Sequence, residues 1–320
     1  MGDQLAHRRS AAVSEENGRR FYMLSFDHRG SFEKELLRLA GKPNAAERAR
    51  IGALKALIYA GFEQAVAAGA PKEACGLLVD EEFGAAIARS ARAAGYALAM
   101  PVEQTGQQEF KFEYGDAFSA HIEAFDPTYA KVLVRYNPDG DEQLNARQAA
   151  RLARLSRWLR EHDRELLLEL LVPATQAQLA DVGGDREAYD RELRPALVVR
   201  TLAALQDAGI EPRIWKVEGL DERADCELVV AQARRDGRGE VDCVVLGRGA
   251  NPTKVAGWLE QAAPVPGYIG FAIGRTIWED ALRKHLAGQL DADATSEQIA
   301  RTYRGMIDVY AAAAASTPTT

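Results

Sequence analysis

The sequence predicts a single α/β domain closed into a (β/α)8 TIM barrel. Three observations predict it: eight short apolar runs bounded by turn residues, intervening segments with apolar residues at helical spacing, and a length of 320 residues that holds eight such units. Near-continuous apolar strands that alternate with amphipathic helices make a parallel sheet covered by helices, because parallel strands need crossover connections of this length. An open dinucleotide-binding sheet would require a glycine-rich turn straight after the first strand, and FDHRGSF carries a single glycine there.

The units follow in order. Residues 1–18 are polar and read as a disordered tail ahead of a barrel domain spanning 19–312. The first strand is FYMLSFD (21–27), and the helical segment ERARIGALKALIYAGFEQAVAAG leads from it to CGLLVD (75–80). YALAMPV (96–102) is the third. After it, QTGQQEFKFEYGDAFSAHIEAF reads as a long loop with a short helix near 115–125, and a loop of that length is often functional. AKVLVRY (130–136) and ELLLELLVP (165–173) flank the Ala- and Arg-rich helix LNARQAARLARLSRWLREHD. RIWKVEG (213–219), DCVVLG (242–247) and GYIGFAIG (267–274) complete the set, and 313–320, ending in ASTPTT, reads as a second disordered tail.

Composition narrows the partners. A net charge of −7 argues against nucleic acid or an anionic membrane as the main partner, although a local basic pocket remains compatible with it. No apolar run is long enough to span a membrane and the N-terminal stretch lacks the apolar centre of a signal peptide, so the cytoplasm is the default location. Cys75, Cys226 and Cys243 are far apart, two of them in apolar runs, which favours reduced buried thiols over a disulfide framework. The apolar helices LVVRTLAALQDAG and MIDVYAAAAA leave room for contacts between copies, as in a homo-oligomer.

Reactive groups of such a barrel sit at the C-terminal ends of its strands and in the loops that follow. Searching those positions yields Asp27, His28 and Arg29 after the first strand, Lys131 and Arg135 on the fourth, Glu169 on the fifth, and Lys216 and Glu218 on the sixth. Side chains two residues apart in a strand share a face, so Lys216 and Glu218 point inward while Trp215 and Val217 meet the helices. An amine enclosed in a barrel is disfavoured as the ammonium and can form a Schiff base with a ketone, and the protonated imine then draws electrons from the neighbouring carbon–carbon bond. Glu169 can shuttle protons, and Lys131 with Asp27 can orient substrate. An ion-paired interior, with Lys216 on Glu218 or Glu169 and Lys131 on Asp27, would produce the same pattern without catalysis.

The seventh and eighth strands run into GRGAN (247–251) and GRTIWED (274–280), where Gly247, Gly249 and Gly274 allow close backbone approach and Arg248 and Arg275 supply charge. Each turn precedes a helix, and these two loops are the usual phosphate seat of the fold. The five histidines show no metal-ligand spacing; a metal-dependent alternative would have to use Asp27, Asp80 and Glu169. His28 either touches substrate or packs within its loop.

The combination of LSFDHRGSF, AKVLVRYNPD, LLLELLVP, WKVEGL and GFAIGRTIWEDAL resembles the 2-deoxy-5-keto-gluconate 6-phosphate aldolase family of inositol catabolism, over about residues 20–312. That domain is often fused behind a sugar kinase. More distantly the motifs are similar to class I tagatose-bisphosphate aldolases, whose DxRG, strand-four lysine, LLE, LKVE and GRATW occur in the same order. The resemblance implies a class I aldolase-like barrel that needs neither metal nor cofactor. Lys216 would be the Schiff-base lysine, Glu169 the proton shuttle, Lys131 and Asp27 polar site residues, and Arg275 a phosphate ligand.

The implied substrate is a small phosphorylated open-chain ketose or keto-acid, cleaved to dihydroxyacetone phosphate and an aldehyde, which is malonate semialdehyde in the inositol pathway. Where the tagatose enzymes have small residues, VVLGRGAN carries Arg248, so Arg248, Arg29 and Arg135 are placed to meet a carboxylate, a second phosphate or a sulfonate. The alternatives are a related sugar-phosphate aldolase of tagatose-bisphosphate or sulfofructose-phosphate type, a barrel isomerase or epimerase with Glu169 as base, and a noncatalytic sugar-phosphate-binding regulator.

Overall fold

The eight apolar runs all become strands in the computed structural model, which describes residues 19–316. These are β1 (Phe21–Ser25), β2 (Cys75–Leu78), β3 (Ala97–Pro101), β4 (Tyr129–Arg135), β5 (Glu165–Leu171), β6 (Ile214–Glu218), β7 (Asp242–Leu246) and β8 (Tyr268–Ile273). Each pairs in parallel with the next and β8 returns to β1, closing the barrel in chain order. The predicted runs overshoot their strands at the C-terminal end, and the residues left over, Asp27 and Asp80 among them, lie in the loops at the barrel mouth.

Helices cover the outside: α1 (Ala45–Ala67), α2 (Glu81–Ala93), α3 (Phe118–Phe125), α4 (Glu142–Glu161), α5 (Arg194–Asp207), α6 (Arg223–Ala233), α7 (Pro252–Ala262), α8 (Arg275–Leu286) and α9 (Ala292–Ala315), with shorter helical turns between them. Several start where a short polar side chain takes up a first-turn N–H, as Asn44 does for α1 in a capping box with Glu47 and Asp80 does for α2. The final helix corrects one boundary. Residues 313–315 belong to α9, where the sequence predicts disorder from 313, and 1–18 and 317–320 lie outside the described residues. α9 holds because it packs along α1, and because the buried hydroxyls of Tyr303 and Tyr310 donate to the carbonyls of Tyr22 (2.7 Å) and Tyr268 (2.8 Å) on the closing strands.

Strand alternation sorts the apolar residues into two cores. Tyr22, Leu24, Trp215 and Val217 face the helices, whereas Phe21, Met23, Tyr129, Leu167, Ile214 and Val244 fill the barrel interior. The floor is polar: Asp242 accepts from Arg19 (2.8 Å), Arg213 (3.0 Å) and Arg234 (3.0 Å), and Arg19 also reaches the Tyr129 hydroxyl (3.2 Å). Charge at that N-terminal face serves closure of the barrel, since the chemistry of this fold belongs to the opposite end. Among the described residues no helix is long and apolar enough to cross a membrane, and all three cysteines are free and buried.

One glycine sets the β8–β1 seam. Gly270 has φ +151, and a Cβ there would overlap the Phe21 carbonyl. Gly270→Ala is therefore expected to lower the unfolding free energy by about 3 kcal/mol, combining backbone strain with overpacking, as a lowered urea midpoint at unchanged m-value would register.

Candidate active site

Lys131 is the hub of the mouth. It is 2 % exposed on β4, and its Nζ donates to Asp27 Oδ2 at 2.8 Å and to Glu103 Oε1 at 2.6 Å, with Glu169 Oε2 at 3.0 Å. The same Glu169 oxygen lies 3.1 Å from Lys216 Nζ. This follows from register: β5 and β6 pair Glu169 directly with Lys216, and both side chains fall on the inner face. Three neighbouring strands and the loops after β1 and β3 thus contribute one line of charges, Lys216, Glu169, Lys131 and then Glu103 and Asp27.

Environment drives these groups apart. Burial works against the Lys131 ammonium, but Asp27, Glu103 and Glu169 outweigh it and hold its pKa well above the usual lysine range. Burial is likewise overcome at Asp27, held far below the ordinary carboxylate range chiefly by Lys131, and at Glu169, held down by Lys131 and Lys216. Glu103 goes the other way: burial raises it, and the neighbouring Asp27 charge adds to the effect. Of the three carboxyls around Lys131, Glu103 is the one whose pKa is raised and so takes up a proton first. Among the described residues Lys216 has one carboxylate in ion-pair range where Lys131 has three. Lys131 is a fixed cation by that division, and Lys216 is held by Glu169.

The strand ends are held from behind. Buried Lys55 of α1 donates to the Phe26 carbonyl (2.8 Å) and to Asp80, whose other oxygen caps α2 at Phe83 N (2.8 Å). Both Asp80 carboxylate oxygens are thus taken up by protein donors. No set of three or more His, Cys, Asp or Glu side chains among the described residues is arranged to hold a metal ion. Trp278 Nε1 donates to the Ser25 carbonyl at 3.0 Å and its ring meets His28 edge-on, 5.5 Å between centroids. His28 Nδ1 stands 3.8 Å from Asp27, and loss of hydration pushes its pKa down to about 4 despite that carboxylate, so the imidazole is neutral at pH 7.

Three of the mouth arginines act as clamps, and Arg275 has Glu35 at 3.5 Å. Arg29 is buried, donating to Glu113 (2.9 Å) and to the Glu103 carbonyl (2.8 Å), which fixes the long loop after β3 to the loop after β1. Arg135 donates to the Gln107 carbonyl of the same loop at 2.9 Å. Arg248, in the left-handed region at φ 53, pairs with Glu218 (3.0 Å) and Asp190 (2.8 Å). Glu218 also accepts from Val172 N at 2.9 Å, so it serves Arg248 and not Lys216.

The two Gly-Arg turns do lie side by side: Arg275 donates to the Arg248 carbonyl (3.0 Å) and Thr276 to the Ala250 carbonyl (2.8 Å). Gly249, at φ +73, is required there, because its Cβ would sit 2.6 Å from the Arg275 guanidinium. Asn251 caps α7, but α8 starts at Gly274 with no side-chain cap, which leaves its first N–H groups without one beside Arg275.

Sequence reasoning overlooked Glu103 and Lys55. Glu103 carried a usable signal, since it follows YALAMPV just as Asp27 ends its own run; Lys55 carried none, being one lysine in a helix. An open groove of about 650 Å³ beside α7, lined by Asp221, Lys254 and Trp258 among others, holds none of the charge line. Its polar groups satisfy each other, Asp221 taking both Lys254 (2.6 Å) and Trp258 Nε1 (2.7 Å), so charge geometry and not cavity size locates the site.

Fold and site geometry together define a closed (β/α)8 barrel with a lysine–carboxylate line at its C-terminal mouth. The chain belongs to the family described as "Uncharacterized protein conserved in bacteria (DUF2090)", which matches residues 2–314. No match is found among the curated proteins. Solved structures similar to the chain include a Schiff-base-forming fructose-1,6-bisphosphate aldolase, at TM-score 0.57 and 13% identity, over 96% of this chain and 99% of that one. Another is an archaeal fructose-1,6-bisphosphate aldolase with its catalytic Lys covalently bound to the carbinolamine intermediate of its substrate, at TM-score 0.55 and 14% identity, over 96% and 99%. At these identities the likeness is one of fold.

Proposed function

We propose that the protein is a class I aldolase in which Lys216 forms the Schiff base. The observation that carries this reading is the shared Glu169 oxygen, 3.1 Å from Lys216 and 3.0 Å from Lys131. A carboxylate there can take a proton from the incoming amine, pass one to the leaving water of the carbinolamine, and stay ionised between steps because Lys131 remains beside it. The Lys216 amine adds to the substrate ketone, water leaves, and the iminium accepts the electron pair of the adjacent carbon–carbon bond as the hydroxyl on the next carbon loses its proton. An aldehyde departs, the enamine is reprotonated at carbon, and hydrolysis of the imine returns Lys216. Ionised Asp27 and cationic Lys131 orient the hydroxyls and balance charge. The two fructose-bisphosphate aldolases of the same fold support this reading, one of them forming its intermediate on a lysine.

The substrate is a ketose or keto-acid phosphate, and its phosphate sits at Gly274, Arg275 and the uncapped start of α8. The particular substrate we favour is 2-deoxy-5-keto-gluconate 6-phosphate, split to dihydroxyacetone phosphate and malonate semialdehyde, on the motif resemblance from LSFDHRGSF to GFAIGRTIWEDAL. Borohydride added with dihydroxyacetone phosphate is the test: a reduced adduct located by mass on Lys216 is expected, and its absence sinks the reading. Arg275→Ala is expected to raise KM for the phosphorylated substrate about 10- to 100-fold with a smaller loss in kcat, the value of a charge-assisted anion contact; initial-rate kinetics measure it.

A further inference from the structure

We infer that Glu103 is a substrate-contacting residue that recognises a hydroxyl on the part of the substrate released as the aldehyde. The inference rests on the aldolase reading of the same mouth and adds a residue to it. Geometry carries it. Glu103 is buried just past the C-terminal end of β3, and its Oε1 takes the Lys131 hydrogen bond at 2.6 Å, while its Oε2 is buried with no hydrogen-bond partner among the described residues. A buried carboxyl oxygen without a partner costs free energy that a ligand hydroxyl recovers, which is how a site selects a ligand that carries one.

The backbone holds the oxygen in place. Arg29 donates to the Glu103 carbonyl at 2.8 Å, and Glu103 forms an isolated bridge with Phe112 across the long loop, so the group is presented by a braced hairpin. Along the charge line Glu103 lies two ionic contacts beyond Glu169, which is itself against Lys216. A chain attached through its ketone carbon to Lys216 therefore meets Glu103 with carbons past the bond that breaks.

The protonation state agrees. Lys131, Asp27 and Arg29 are the charged groups that bear on Glu103; burial outweighs the two cations and raises its pKa. Asp27 and Glu169 are held ionised beside Lys131, and Glu103, whose pKa is raised, is the carboxyl of the line that takes up a proton first. Oε1 faces the Lys131 ammonium, so that proton sits on Oε2 and is offered to a substrate oxygen. Donation to the hydroxyl is present at low pH and is lost as pH rises through the raised Glu103 pKa.

Glucitol 6-phosphate tests recognition apart from imine chemistry, since it has the hydroxyls and the phosphate but no carbonyl. Calorimetric titration is expected to give a Kd for Glu103→Gln within about threefold of wild type, because the amide keeps a donor, and a Kd raised about tenfold or more for Glu103→Ala. The wild-type affinity is expected to fall as pH rises while that of Glu103→Gln stays flat, and in turnover Glu103→Ala raises KM more than it lowers kcat. Borohydride trapping of dihydroxyacetone phosphate on Lys216 of the wild type, which involves no aldehyde half, reads the imine chemistry separately. Trapping that fails in wild type overturns the aldolase reading alone. The Glu103 inference is overturned if glucitol 6-phosphate does not bind wild type, if Glu103→Ala binds it as well as wild type, or if Glu103→Gln loses as much as Glu103→Ala, which would make the group an ionised acceptor.

Discussion

Lys216→Met is expected to lower turnover about 10⁴-fold or more while leaving the fold in place. That factor is about 5 kcal/mol of barrier, the scale of losing the covalent path altogether and not of weakening one hydrogen bond. The fold survives because the carboxylate left behind is not stranded: Glu169 keeps Lys131 at 3.0 Å, and a methionine refills the stem of a side chain that is 2 % exposed. The change in unfolding free energy is expected to stay under about 2 kcal/mol. Coupled measurement of dihydroxyacetone phosphate release, with urea unfolding of the same preparation, checks both halves. Substantial release of dihydroxyacetone phosphate by a folded Lys216→Met protein would mean that cleavage does not run through an imine on Lys216.

Lys131→Met is expected to do the reverse in proportion, costing about 3–5 kcal/mol of stability along with activity. Three buried carboxyls, Asp27, Glu103 and Glu169, lose their shared counter-ion, and a buried charge without a partner is among the few single-residue defects of that size. The pH dependence has a definite sign. In the wild type Asp27 and Glu169 have depressed folded-state pKa values, so their pairing stabilises the protein above the ordinary carboxylate pKa and that stability is lost as pH falls through the folded values. Without Lys131 burial dominates and pushes the same carboxyls up, so the variant's deficit grows as pH rises past the ordinary carboxylate range and shrinks on acidification. Urea unfolding at a series of pH values reads this directly.

The periodic part of the molecule was legible in the sequence. Seven of the eight apolar runs contain their strands whole and the fourth misses only Tyr129, because a strand covered on both sides by core and helices is apolar along most of its length. Inward placement of Lys131, Glu169, Lys216 and Glu218 followed from a two-residue repeat, which leaves no freedom once the strand is located. Local propensity failed at 313, where the tyrosines of α9 reach back to β1 and β8 and turn an expected tail into helix.

What the sequence by itself determined is the barrel, its mouth, and which residue types converge there. Only the tertiary structure decided how those charges pair. Glu169 took Lys216, while Glu218, two residues from Lys216 in sequence and on the same face, went to Arg248 and Val172 N. Arg29, Arg135 and Arg248, expected to meet substrate, bind protein acceptors, and Glu103 joined the site from a loop that the strand pattern does not describe. The physical reason is range. Burial and alternation act along the chain over a few residues, whereas an ion pair is fixed by a few ångströms between strands whose closure, tilt and loop packing no local pattern encodes.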